Sequence, residues 1–188
     1  MRARRQRGAT TVEMTLVGIP IIFILISVFE ISRGMWMYHT LSYSVRNGVR
    51  TAVVHGINCI NHLDVPNNCP KTINDIATAI QQSAVGIDPG LAELTFTPGS
   101  AGAGSTSCYL ATPVGTPPYG ALSNCSTYST LPWPPDDGNG TYNGVGKTVR
   151  IDIRTPFASA LGMFWPGSKP VNFALMNLGA TSTDYVQF

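Results

Sequence analysis

Four cysteines, three histidines and a scatter of carboxylates are the residues of this chain that could do chemistry. Cys59, Cys69, Cys108 and Cys125 form no C-x-x-C pair, and none stands at metal-ligand spacing from His39, His55 or His62. The sequence Asp136-Asp137-Gly138-Asn139-Gly140 faintly suggests a calcium turn. Without a downstream bidentate Glu it reads as a plain Asp-Gly/Asn-Gly turn. There is no G-x-S-x-G, no phosphate-cradling G-x-x-x-x-G-K and no dinucleotide-type glycine run between strand and helix. Asp152 and Asp184, the carboxylates on late strands, cannot be paired by sequence alone. The expectation is a chain without catalytic residues, resident metal or cofactor.

One carboxylate stands out by its position. Glu13 follows Gly8 by five residues, at the mouth of an apolar helix, where an ionised group is costly without a partner. From Met14 to Phe29 there are sixteen residues without a charge, about 24 Å of helix against a hydrocarbon core of about 30 Å. The flanks must complete the span: Glu30 and Arg33 reach toward the interface, and Trp36 and Tyr38 suit the headgroup level. Arg2, Arg4, Arg5 and Arg7 precede the span, which orients the N-terminus to the cytoplasm and exports the rest. Without those four, the chain carries 8 basic against 10 acidic residues, no footprint for a phosphate backbone; nucleic acid is not an expected partner.

Three readings compete for the segment. A secretory signal peptide needs a small-x-small site soon after the apolar run, and Glu30-Ile31-Ser32-Arg33-Gly34-Met35-Trp36 supplies none that convinces. A plain single-pass anchor leaves Glu13 unexplained. A cut between Gly8 and Ala9 explains it, because the new α-amino group is a cation that a neighbouring subunit's Glu13 can pair with. The cut also removes the arginines that would otherwise hold the chain at the cytoplasmic surface.

The run R-x-R-G-A-T-T-V-E-M-T-L-V resembles the cleavage region of type IV prepilins, and most of all that of TadE-like pseudopilins of tight-adherence (Tad, Flp-type) systems. Phe29-Glu30-Ile31-Ser32-Arg33 resembles that family's F-E-x-x-R, and Val45-Arg46-Asn47-Gly48-Val49-Arg50-Thr51-Ala52 its "A-A-R-x-G-A-R-x-A" run. Met14 stands where the family often has Phe, and the mature chain would begin with Ala9 rather than an N-methylated Phe. The resemblance covers about residues 1–54. It implies a non-enzymatic minor pilin, processed at Gly8 and Ala9 by a prepilin peptidase, with Glu13 serving assembly. The partners it implies are other pilins, the pilus assembly machinery and the inner membrane. The alternative, from another class, is an unprocessed anchored protein whose exported part binds or adheres; a tethered hydrolase ranks last.

The other elements follow from periodicity. Leu41, Val45, Val49, Ala52 and Val53 form one helical stripe, with Arg46 and Arg50 together on another face. One helix is expected from about residue 10 to 54, stopped near Gly56. A second is expected over Thr72–Ala84, with a Thr72/Asp75 capping box and a stripe of Ile73, Ile76, Ala77, Ile80 and Ala84. Strands are expected at Leu91–Thr97, at Lys147–Arg154 ended by Pro156, and at Val171–Leu178 and Thr183–Phe188; Phe157–Trp165 reads as a surface loop or short helix. Residues 98–146 read as a Pro/Gly-rich insertion whose aromatics (Tyr109, Tyr119, Tyr128, Trp133, Tyr142) either form a contact surface or pack locally.

The fold class is therefore α+β: a leader at 1–8, a transmembrane helix at 9–38, an amphipathic extension at 39–56 and a periplasmic head at 57–188. Disulfides suit an even number of cysteines on one side of a span. Cys59 and Cys69 are spaced to clip the 57–71 loop and Cys108 and Cys125 to staple the insertion, although three pairings are possible.

Overall fold

The computed structural model describes residues 6–55, 71–99, 104–135, 139, 141–157, 159 and 176–187; the side chains of residues 6–10 are not among them. Helix α1 spans Gln6–Val53 and α2 spans Ile73–Ser83. Strands β1 (Glu93–Pro98), β2 (Thr106–Tyr109), β3 (Thr148–Phe157) and β4 (Met176–Tyr185) form one antiparallel sheet in the order β2-β1-β3-β4. The class is α+β, as read from the sequence. Helix α1 up to Trp36 falls in one compact unit; its remainder from Met37, α2 and the sheet form a second.

The core of the second unit is the meeting of the stripes that the periodicity foretold. Leu41, Val45, Val49, Ala52 and Val53 of α1 are buried, and so are Ile73, Ile76, Ala77 and Ile80 of α2. The sheet adds Leu94, Phe96, Val149, Ile151, Ile153 and Ala180 from one face. Removing this apolar surface from water is the main driving force for the unit. Arg46 and Arg50 stay exposed on α1. Where the helices cross, Gly48 lies so close to α2 that an added Cβ would stand 2.4 Å from Ile80 Cγ1.

Helix α2 opens with the expected capping box. The Asp75 N–H donates to Thr72 Oγ1 at 3.2 Å and the Thr72 N–H donates to Asp75 Oδ2 at 2.9 Å, which satisfies two end groups reciprocally. The segment 131–133 ties this start to the sheet. Ile73 N–H donates to the Leu131 carbonyl and Trp133 N–H to that of Lys71, while the Trp133 ring meets Phe96 edge-on at 5.1 Å.

The sequence reading needs three corrections. First, 98–146 is not free of strands: Thr106–Tyr109 pairs with β1, and a 3-10 turn follows at Cys125–Tyr128. Second, Pro156 does not end β3, which continues to Phe157. The Thr148 carbonyl accepts from Gly99, so even-numbered residues of β3 turn their backbone groups toward β1. Strand β1 begins at Glu93, opposite Arg154, and Pro156 lies past it where no ladder bond is due. Third, the described parts of the two expected final strands belong to one unbroken strand, Met176–Tyr185, which runs through Gly179 and Thr183 and pairs with β3 along ten residues; residues 171–175 and 188 lie outside the described residues. Gly56 and the Phe157–Trp165 segment after residue 157 lie outside the described residues, Ser159 excepted.

The end of the sheet is tied back to α1. Val186, buried in the core, donates its N–H to the Lys147 carbonyl and accepts from Gly146 N–H; Gln187 N–H then donates to the Val53 carbonyl at 2.9 Å. That bond satisfies one of the carbonyls that a helix C-terminus leaves without an intrahelical donor.

Candidate functional site

The first candidate site is the N-terminal part of α1. Helix α1 is described from Gln6 onward, and the Gly8–Ala9 peptide bond lies within it. Glu13 is exposed, one helical turn (about 6 Å of rise) beyond Ala9 and on the same face. Above it the apolar side chains point outward: Met14, Leu16, Ile24, Leu25 and Phe29 are each more than 60% exposed. Their burial needs an outside medium, lipid or other helices. The hydroxyls in this stretch are already satisfied, Thr15 donating to the Thr11 carbonyl, Ser27 to that of Phe23 and Ser32 to that of Val28. Such back-bonding lets polar residues sit in an apolar medium. The helix continues through Pro20, and a Cβ on Gly18 would meet nothing within 4 Å. Among the described residues this is the one helix long and apolar enough to cross a membrane.

Glu30 of the F-E-x-x-R run departs from expectation. It is buried rather than reaching outward, and its Oε2 has no hydrogen-bond partner.

The second unit holds a polar pillar that sequence reasoning missed. Glu93 of β1 is buried; its Oε2 accepts from Arg154 Nε of β3 at 2.6 Å. The Arg154 guanidinium lies 4.3 Å over the Tyr119 ring, whose hydroxyl donates to Asn177 Oδ1 of β4 at 3.1 Å. The Tyr119 N–H in turn donates to the Tyr109 hydroxyl, so the loop after β2 is latched onto the polar side of the sheet. The Cys108–Cys125 disulfide closes the same loop at its base, which bears out that pairing; Cys59 and Cys69 lie outside the described residues. Of the insertion's aromatics, Tyr109 and Trp133 are buried and Tyr128 packs on the core, so for these local packing holds over a contact surface.

Desolvation pushes the Tyr119 hydroxyl up from 10.0 to about 12, with Arg154 opposing and Glu93 reinforcing. An acid whose folded pKa is raised contributes stability while it is protonated. That contribution is complete below about pH 10 and disappears as pH climbs through about 12. An alkaline denaturation series is therefore expected to show a loss of stability in that window, and Tyr119→Phe to remove it.

The other chemistry-bearing residues do not converge. Asp152 accepts from Arg150 and Thr181 on the polar side of the sheet, whereas Asp184 shares the side of Ala180, so the two carboxylates cannot work together. His39 is exposed, the Nδ1 of His55 contacts the Thr51 carbonyl, and His62 is outside the described residues. A cleft of about 260 Å3 between Asp88, Leu91, Ala111 and Val114 offers one carboxylate, which the Gly90 N–H already engages. Among the described residues no group of three His, Cys, Asp or Glu side chains could hold a metal ion.

These features describe a class: a chain with one exposed apolar helix, able to anchor in a membrane, and an α+β unit stapled by a disulfide. Comparison places its N-terminal part more closely. The family model described as TadE-like protein matches residues 8–50, less than a quarter of the chain, and that segment is TadE-like, consistent with a protein of Tad pilus systems. The match takes in Gly8, Ala9, Glu13, the F-E-x-x-R run and the Arg46–Arg50 run on which the resemblance was drawn. No curated protein and no solved structure matches the chain.

Proposed function

We propose that the protein is a minor pseudopilin of a tight-adherence pilus, inserted in the inner membrane with its N-terminus cytoplasmic and residues beyond the span in the periplasm. A prepilin peptidase cuts after Gly8, and Ala9 becomes the N-terminus. The new ammonium neutralises Glu13 of a neighbouring subunit as the helices pack, and the disulfide-bearing unit supports, initiates or caps assembly. The protein works through association with other pilins and the assembly machinery, without catalysis. The observation that carries this reading is an exposed Glu13 one helical turn beyond Ala9, on a stretch of α1 that exposes Met14, Leu16, Ile24, Leu25 and Phe29. The TadE-like match over the same residues supports it.

Co-expression of the chain with a prepilin peptidase tests the proposal. Intact mass is expected to fall by the first eight residues and the new N-terminus to read Ala9; Gly8→Leu is expected to abolish the cut. Glu13→Ala should leave cleavage intact and remove co-purification with partner pilins. A chain that keeps its first residues in the presence of active peptidase is a permanent anchor instead, and the pairing of Glu13 with an amine is then wrong.

A further inference from the structure

We propose that the face of α1 formed by His39, Tyr43, Arg46 and Arg50 is a docking surface for an acidic helix of a partner protein, a role that does not depend on cleavage at Gly8. Steps of four, three and four residues put these side chains on one side of the helix. All four are exposed, Tyr43 at 65%. The stripe of Leu41, Val45, Val49 and Ala52 lies on the opposite side, buried in the core. This length of α1 thus serves its own unit with one face and leaves the other to solvent.

Charge identifies the occupant. The other arginines of the same unit are neutralised within it: Arg150 holds Asp152 at 2.8 Å and Arg154 holds Glu93 at 2.6 Å. Among the described residues, Arg46 and Arg50 have no such partner. They stand one helical turn apart, a rise of about 6 Å, where like charges repel. Two carboxylates one turn apart on a second helix match that spacing, and each can form a two-pronged hydrogen-bonded pair with a guanidinium. Tyr43, just under one turn before Arg46, adds an apolar contact, and Tyr and Arg are the side chains on which interface energy concentrates. Alternating steps of four and three residues are also the spacing of a seam between helices. The four residues extend about 16 Å along the axis, so a helix lying alongside meets them all.

The test uses the full chain in neutral detergent micelles and a fluorescent helical peptide of about 21 residues that presents Leu and two Glu, one turn apart, along one face. Its anisotropy is expected to rise saturably with protein, and the affinity to fall as salt is raised, since exposed charges are screened. Moving one Glu to the far side of the peptide, at equal net charge, should weaken binding about fivefold or more. Arg46→Glu with Arg50→Glu should abolish it and create binding to a peptide with Lys in place of Glu. Neither side chain is buried, so the thermal unfolding midpoint of that variant should stay within about 3 °C of the parent's. Tyr43→Ala should weaken binding about fivefold and leave its salt dependence unchanged. Equal affinity for both Glu spacings overturns the proposal, as does binding that the double substitution leaves intact, or no saturable rise up to about 0.3 mM protein. Displacement of the peptide by phosphatidylglycerol added to the micelles assigns the arginines to a lipid surface instead, and overturns it as well.

Discussion

Replacing Gly48 by leucine is expected to destabilise the unit formed by the upper part of α1, α2 and the sheet by at least about 3 kcal/mol, the upper range for overpacking a closed core. A first side-chain carbon at this position would stand 2.4 Å from Ile80 Cγ1 and 2.5 Å from Cδ1, and Ile80 is fully buried. Alanine is the sharper probe. In an exposed helix, Gly→Ala gains up to about 1 kcal/mol from propensity, whereas here the contact with Ile80 should reverse the sign to a net loss of about 1–2 kcal/mol. In an Ile80→Ala background the obstacle is gone, and Gly48→Ala should become neutral or stabilising. Chemical denaturation of the four proteins reads the cycle. If Gly48→Ala stabilises the parent protein, the close helix crossing is wrong.

The second large effect is expected at Arg154. Replacing it with methionine leaves the Glu93 carboxylate, 4% exposed, without its cation. Orphaning a buried charge costs about 3–5 kcal/mol; because Arg154 itself is half exposed, about 2–3 kcal/mol is expected. Glu93→Leu with Arg154→Met should recover most of that, since an apolar pair of similar volume no longer buries a lone charge. The neighbouring pair Arg150–Asp152 provides the contrast. Both partners reach solvent, so Arg150→Met should change stability by no more than about 0.5 kcal/mol. Equal losses at Arg150 and Arg154 in urea denaturation would show that Glu93 is not desolvated in the folded protein.

What could be read from the sequence was local. The stripe from Leu41 to Val53, the Thr72/Asp75 box and the alternation Val149-Ile151-Ile153 each repeat a period set by backbone geometry, and each forms the expected element. What escaped depends on distant neighbours. Strand β2 has four residues and no clean alternation, and it exists because Leu94 and Cys108 are brought opposite each other. Strand β4 reads as two pieces because Asn177, Gly179 and the Thr-Ser-Thr run have little β-type apolar content, yet the β3 ladder carries them through. Glu93 and Arg154 are 61 residues apart, with nothing in their surroundings to link them. Gly48, by contrast, was visible within the Arg46–Arg50 run, but only the approach of α2 explains why that position has no side chain. Gly8, Ala9 and Glu13 were singled out by their spacing together with the resemblance to prepilin cleavage regions; the helix adds the shared face of Ala9 and Glu13 and the exposure of Glu13.

The hydrogen bond from Gln187 to Val53 also imposes an order on biogenesis. Ribosomes emit the apolar stripe of α1 first, α2 about twenty residues later and the strand that completes the cover more than a hundred residues later, so the cover over Leu41, Val45 and Val49 is assembled in stages. A stalled or truncated polypeptide ending before Val186 would lack the last piece of that cover and the tie to Val53, which makes it a target for quality-control proteases.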